Sequence, residues 1–262
     1  MRLLFIGDVV GETGRKAMYR ALEQLRREHT PTLVIVNGEN AAGGRGLTPA
    51  LAEEFFAHGV DVITLGDHAW DQVEMLRHID DMARVLRPFN LQPGTPGRGS
   101  LLVPTPEGVV GILCLQGRTF MQPGPENPFT HGRAEAERLR REGAVALLVD
   151  FHAETTSEKN AMGFHLDGIA SAVLGTHTHV QTADARILPG GTAHITDVGM
   201  CGSMHSVIGR DAESVLRCLV NSLPGKLEIG GWPARVSGAV VEIDPSSGRA
   251  TRLQPLNVIV EQ

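Results

Sequence analysis

The chain has 262 residues, 42% of them hydrophobic and 21% charged, with a formal net charge of −6. That length can bury a sizeable core, and no Pro/Gly/Ser-rich linker divides it, so one α/β domain over residues 1–262 is expected. The negative balance excludes a broadly basic nucleic-acid platform, and three scattered cysteines (Cys114, Cys201, Cys218) exclude a disulfide framework or a CxxC metal site.

Short β-branched apolar runs alternate with stretches of helical period, the pattern of a layered α/β fold. The first run, Leu3–Ile6, leads to a helix over Gly14–His29, where Ala17, Met18, Ala21, Leu22 and Leu25 share one face. Leu33–Val36 comes next, then a helix that Thr48 caps and Pro49 opens, running through Ala57. Val60–Leu65 is the third strand, and Arg87–Ser100, which contains PGTPG, reads as loop. Val109–Leu115 holds Cys114 as a small core residue, and a charged, solvated helix spans Ala134–Arg141. Ala144–Phe151, Ala170–Leu174 and Ala193–Thr196 complete the internal strands, before a helix over Ala212–Val220. Ala234–Ile243 and Ala250–Val260 alternate around Asp244–Gly248 and read as an antiparallel hairpin. The leading apolar run stops at Gly7-Asp8, too short for a signal-peptide core, and no stretch approaches the roughly 18 apolar residues of a membrane span. The expected compartment is therefore the cytoplasm.

The residues just beyond the strand ends are more informative. Leu3–Ile6 runs into Gly7-Asp8, Leu33–Val36 into Asn37-Gly38-Glu39-Asn40, and the third run into Gly66-Asp67-His68. Ala144–Phe151 leads to His152-Ala153-Glu154, and Ala170–Leu174 to Gly175-Thr176-His177-Thr178-His179. Five strands thus end in metal-ligand side chains. In open α/β sheets, ligands bind outside the carboxyl ends of the strands, so these five ends can converge on one site. Each piece alone is weak: Gly-Asp is also a common turn, and a histidine after a strand is often a satisfied core residue. His177-x-His179 is stronger, because period two places both imidazoles on one face of an extended segment.

Two divalent ions roughly 3.5–4 Å apart need a shared carboxylate and several further ligands. Glu39 is the natural bridge. Asp8, Asn40 and His179 can complete one set, with Asp67, His152 and His177 completing the other. Mixed imidazole and oxygen ligation favours iron or manganese, with zinc next, over calcium and magnesium. Solvent bridging two such cations loses its proton near neutral pH and becomes a nucleophile. His68, next to a ligand but free of the cage, is placed to protonate a leaving oxygen.

Together these segments resemble the calcineurin-like metallophosphoesterases, and within them the bacterial YmdB-like 2′,3′-cyclic-nucleotide phosphodiesterases. The resemblance is carried by GDVVGETGR at 7–15, NGENAAGGRGLT at 37–48, LGDHAWD at 65–71, RPFN at 87–90, QGRTF at 116–120, DFHAETTSEKNAMG at 150–163 and GTHTHVQTADARILPGGTAHITDVGM at 175–200. It implies a sandwich of two packed mixed β-sheets flanked by α-helices. It also implies one metal on Asp8, Glu39, Asn40 and His179, a second on Glu39, position 67, His152 and His177, and His68 as proton donor. A cyclic-nucleotide substrate, a protein partner in RNA metabolism and a homo-oligomeric state are further implications. One departure is present: the family's third motif reads Gly-Asn-His, whereas this chain has Gly66-Asp67-His68. Asp offers an oxygen as Asn does, but it loses two donors and adds a negative charge. A broader phosphodiesterase or phosphomonoesterase, or a metal-dependent nucleotide-binding regulator with weak turnover, are the rival readings. Arg118 serves either as a phosphate fork or in a structural ion pair. His205 is the remaining histidine expected to approach the substrate, and Trp70 and Trp232 are expected to pack.

Overall fold

In the computed structural model, which describes every residue apart from Pro123, the first strand (Arg2–Ile6) pairs in parallel with Leu33–Asn37. Parallel pairing then continues through Val62–Thr64 to Val85–Leu86. On its other edge the first strand runs antiparallel to Ala234–Asp244, the first arm of the expected hairpin, whose second arm is Arg249–Val260. The chain leaves this sheet position at Gly7. Asp8–Val9 pairs instead with Met200–Ser203, which shares the edge of Ala234–Asp244 with the first strand. These strands make an eight-stranded mixed sheet. A six-stranded sheet is built on parallel pairing of Gly108–Gln116, Ala144–His152, Ala172–Thr176 and Ala193–Ile195, with antiparallel strands Ser100–Thr105 and Arg186–Ile187 at its edges.

Alternation sorts the side chains into three apolar layers. Leu3, Phe5, Ile35 and Val62 of the first sheet meet Val110, Ile112, Leu148 and Leu174 of the second between the sheets. Leu4, Ile6, Val34 and Val36 face outward onto Met18, Leu22 and Leu25 of the helix Gly11–His29 and Phe55 of the helix Pro49–Ala57. Leu113, Leu147, Val149 and Phe151 face outward onto Ala136 and Leu139 of the helix Pro128–Arg141 and Met162 of the helix Thr156–His165. The result is two packed mixed sheets flanked by helices, as the family resemblance implied.

Several elements differ from the sequence reading. The first helix begins at Gly11 rather than Gly14. The charged helix begins at Pro128 rather than Ala134, because the Asn127 side chain accepts from the backbone N–H of Phe129 and Thr130 and Pro128 opens the first turn. Val73–His78 and Thr156–His165 are helices that apolar periodicity did not indicate. Trp70 and Trp232 pack against the core as expected. Among the described residues, no helix is long and apolar enough to cross a membrane.

Candidate metal centre

The carboxyl ends of the parallel strands from both sheets open on the same side, and the segments beyond them bring the predicted ligands together. Asp8, Glu39, Asn40 and His152 are buried, and Asp67, His177 and His179 are nearly so. Ligand atoms of Glu39, Asp67, His152 and His177 all lie within 4.8 Å of one another. His152 Nε2 is 3.0 Å from Asp67 Oδ1, 3.1 Å from Glu39 Oε1 and 3.0 Å from His177 Nδ1. Gly66 makes this closeness possible, since a β-carbon there would fall on the His152 ring and the Glu39 carboxylate. The second set adjoins it through Glu39. Asn40 Nδ2 is 3.0 Å from Glu39 Oε1 and 3.3 Å from His179 Nε2, and His179 Nε2 is 3.7 Å from Asp8 Oδ1.

The proton inventory shows whether these residues suit a cation. The Thr176 hydroxyl donates to Asp150 Oδ1 at 2.7 Å, so its oxygen accepts from His152 Nδ1 at 2.9 Å. His179 Nδ1 donates to the Ile208 carbonyl at 2.9 Å, and His177 Nε2 donates to Glu154 Oε2 at 3.1 Å. Each imidazole therefore spends its one neutral-state proton outside the cluster and turns a lone pair inward: Nε2 of His152, Nε2 of His179 and Nδ1 of His177. Asp8 Oδ1, fully buried, has no hydrogen-bond partner. Among the described residues, the only cationic groups within ion-pair distance of Asp8, Glu39 and Asp67 are histidines. Three carboxylates and three inward lone pairs without a Lys or Arg form a donor set that fits bound cations.

The titration pattern arises from this crowding. Burial pushes the Asp8 carboxyl above its ordinary range. Burial also acts upward on Asp67, but hydrogen bonds from His152 and His177 overcome it and hold that carboxyl far below the usual range. Burial acts downward on His152, yet Glu39 and Asp67 raise it well above the usual imidazole value. A bound cation and the second proton of His152 compete for the same nitrogen, so metal affinity falls as pH falls.

His177 and His179 are not glycine, yet both have left-handed backbones, with φ of 96° and 66°. Such conformations cost on the order of 1–3 kcal/mol each and persist where surrounding bonds over-determine them. Here Asp8 Oδ2 accepts from His177 N at 3.2 Å. Thr178 donates through N and Oγ1 to Asp197 Oδ2 at 3.1 and 2.7 Å, and Lys159 Nζ meets that oxygen at 2.7 Å.

A family model described as YmdB-like protein matches residues 4–256. The chain is 43% identical over 257 residues to a 2′,3′-cyclic-nucleotide 2′-phosphodiesterase of Bacillus subtilis, covering 97% of this chain and 96% of that protein. A crystal structure described as a novel phosphatase from Mycoplasma pneumoniae superposes with a TM-score of 0.93 at 35% identity, covering 100% of this chain and 94% of the other. A Thermus thermophilus protein of hypothetical function superposes with a TM-score of 0.91 at 41% identity, each chain covered completely. This chain belongs to the YmdB-like family of metallophosphoesterases.

In this YmdB-like chain a cavity of about 360 Å³ lies above the ligands, walled in part by Glu39, Asn40, His68, His177 and His179. His68 thus lies where the sequence reading put it, outside the four-residue cluster and facing the same space; its Nδ1 is 3.1 Å from Asp71 Oδ2. Two expectations are corrected. His205 is exposed and is not part of this cavity's wall. Arg118 lines a separate cavity with Thr119, Asn127 and Glu158 and forms no ion pair among the described residues; its backbone N–H donates to Glu158. The residues that sequence reasoning missed are those that orient ligands: Glu154 on His177, and Thr176 with Asp150 on His152. Asn37 and Thr64 from the first sheet also donate to Asp150, at 3.0 and 2.6 Å, so this polar cluster ties the two sheets beneath the ligands. Sequence reasoning also passed over Arg45 and Arg210 in the cavity wall, although Gly43-Gly44-Arg45-Gly46 is a visible loop signal.

Proposed function

We propose that this chain is a dinuclear-metal phosphodiesterase acting on cyclic nucleotides, 2′,3′-cyclic nucleotides above others, with residues 1–262 working as one catalytic unit. The observation that carries the reading is the pair of ligand sets meeting at Glu39 beneath a cavity that also holds His68. The name of the Bacillus subtilis relative supports the substrate class. Asp8, Glu39, Asn40 and His179 would hold one ion; Glu39, Asp67, His152 and His177 would hold the other. Iron or manganese suits the donors first and zinc next. Bound metals supply electrophilic stabilisation of the phosphoryl oxygens and activate water as nucleophile.

The chain's own residues supply the rest. His68 is fixed by Asp71 through Nδ1, which leaves Nε2 to deliver a proton. Water adds to phosphorus, the bond from phosphorus to the ribose 2′ oxygen breaks, and that oxygen takes the proton from His68, leaving a 3′-phosphomonoester. His152, buried beneath the pair, keeps its ring orientation through Thr176 and Asp150. The test is metal analysis of the purified protein, then turnover of 2′,3′- and 3′,5′-cyclic nucleotides and an aryl phosphate monoester with that metal restored. Preferential opening of the 2′,3′-cyclic ester is the expected result. Efficient hydrolysis of the monoester with both cyclic nucleotides untouched would overturn the reading.

A further inference from the structure

The wall of the same cavity opposite the carboxylates is basic. Arg45 and Arg210 both line it, beside Gly44, His68 and His179. The two arginines have different tasks. Arg210 is committed to backbone: its guanidinium donates to the carbonyls of Gly43 at 3.1 Å, Gly44 at 2.6 Å and Leu227 at 3.3 Å. Burial, and then the neighbouring Arg45, push it below the ordinary guanidinium value. The next carbonyl, of Arg45 itself, accepts from Gln72 Nε2 at 2.8 Å. Three successive carbonyls are thus pinned. The pinned chain is left-handed at Gly43, Gly44 and Gly46, and a β-carbon at Gly44 would run into the Arg210 guanidinium. This rigid, glycine-dependent loop presents one side chain, Arg45, which is exposed and has no ion-pair partner among the described residues.

We infer that Arg45 is a specificity residue that binds a second phosphate of the substrate, on the 5′ side of the nucleotide whose cyclic phosphate is opened. The inference rests on the phosphodiesterase reading above and narrows its substrate class. The scissile phosphate belongs at the ligand cluster. A cavity of about 360 Å³ holds more than one phosphate group, and its free guanidinium offers a planar fork matched to phosphate oxygens. A nucleoside 2′,3′-cyclic phosphate with a free 5′ hydroxyl has no further anion to meet it. One with a 5′ phosphate, or the cyclic-phosphate end of an oligoribonucleotide, does. The substrate class is therefore a nucleotide carrying phosphate on its 5′ side, and the reaction that supplies it is RNA cleavage by attack of a 2′ hydroxyl on the adjacent phosphodiester, which leaves 2′,3′-cyclic ends.

The test uses the metal-loaded protein and two probes, adenosine 2′,3′-cyclic phosphate with and without a 5′ phosphate. The readout is the ratio of their kcat/KM values. A ratio of roughly 10–100 in favour of the 5′-phosphorylated probe is expected, the scale of one charge-assisted hydrogen-bonded contact. Arg45→Ala should bring that ratio to about 1, and Arg45→Lys should restore part of it. A wild-type ratio near 1, or a ratio that Arg45→Ala leaves intact while both probes slow together, overturns the assignment; the latter would put Arg45 on the scissile phosphate. If neither probe is opened while bis(4-nitrophenyl) phosphate is, the cyclic-nucleotide reading fails separately. Arg45 is then judged by inhibition of the aryl diester reaction: tighter inhibition by adenosine 3′,5′-bisphosphate than by adenosine 3′-phosphate, lost in Arg45→Ala, supports the anion site, and equal inhibition sinks it.

Discussion

Glu154 touches no cavity atom that the chemistry requires directly, yet it decides which nitrogen of His177 faces inward. Its Oε2 accepts from His177 Nε2 at 3.1 Å, while His177 Nδ1 lies 3.3 Å from Asp67 Oδ1 and 3.0 Å from His152 Nε2. Replacing Glu154 by Ala removes that acceptor and lets the ring turn or protonate at the inward nitrogen. Partners of this kind are worth about 10–100-fold in metal affinity. The Glu154 side chain is 47% exposed, so water can replace it in part, and the lower end applies. The expectation is a roughly 10-fold rise in the dissociation constant of one ion, or about 1.4 kcal/mol, with the ion held by Asp8, Asn40 and His179 affected less. Glu154→Gln keeps an acceptor but drops the charge, so its loss should be intermediate. Competition against a chromophoric chelator with manganese or zinc measures both constants, and the thermal midpoint of metal-free protein serves as control. The reasoning fails if Glu154→Ala binds both ions within about twofold of wild type, well short of the affinity loss such partners carry. It fails equally if the metal-free midpoint drops enough to account for the whole loss, since Glu154 would then be a folding residue.

Three further outcomes are expected from other parts of the structure. His68→Ala should keep near-normal metal content and lose roughly 10²–10⁴-fold in turnover, with a smaller loss for an ester whose leaving group needs no proton; equal losses for good and poor leaving groups would argue against the proton-donor role. Asp67→Asn trades a charged oxygen for a neutral one in the Glu39, Asp67, His152 and His177 cluster, so metal titration should show weaker retention of one ion; unchanged affinity for both would place Asp67 outside the ligand set. His194 is buried outside the ligand cluster, its Nδ1 3.0 Å from the Val173 carbonyl, and burial holds its pKa below the ordinary value against the opposing pull of Asp184, with Arg186 adding to the depression. The unfolded chain therefore takes up this proton first. The stability it contributes is present above about pH 6.5 and declines as pH falls below it. Urea midpoints at about pH 7.5 and 5.5, either side of that value, should lie closer together in His194→Asn than in wild type, and an unchanged gap would assign the acid sensitivity elsewhere.

The ligands were legible because each comes after an apolar strand by one to a few residues, and parallel strands bring such ends together whatever lies between. The groups that orient the ligands carry no such local mark. Asp150 sits inside a strand among apolar neighbours, and its three donors, Asn37, Thr64 and Thr176, come from three other strands. The helix Thr156–His165 escaped the hydrophobic pattern for a related reason: its buried positions include Glu158 and Lys159, polar groups with partners distant in sequence. Glu158 accepts the backbone N–H groups of Arg118 and Thr119, and Lys159 pairs with Asp197. That last pair explains how an expensive backbone survives at the two histidines. Asp197 takes Lys159 on one side and Thr178 on the other, so the residue between His177 and His179 is held by a buried charge. Removing Lys159 alone would leave that charge uncompensated, which costs about 3–5 kcal/mol in buried pairs and exceeds the strain of either histidine. The strained turn and the polar helix are therefore one device: the side chains that defeat helical periodicity are those that keep two imidazoles aimed at the cluster.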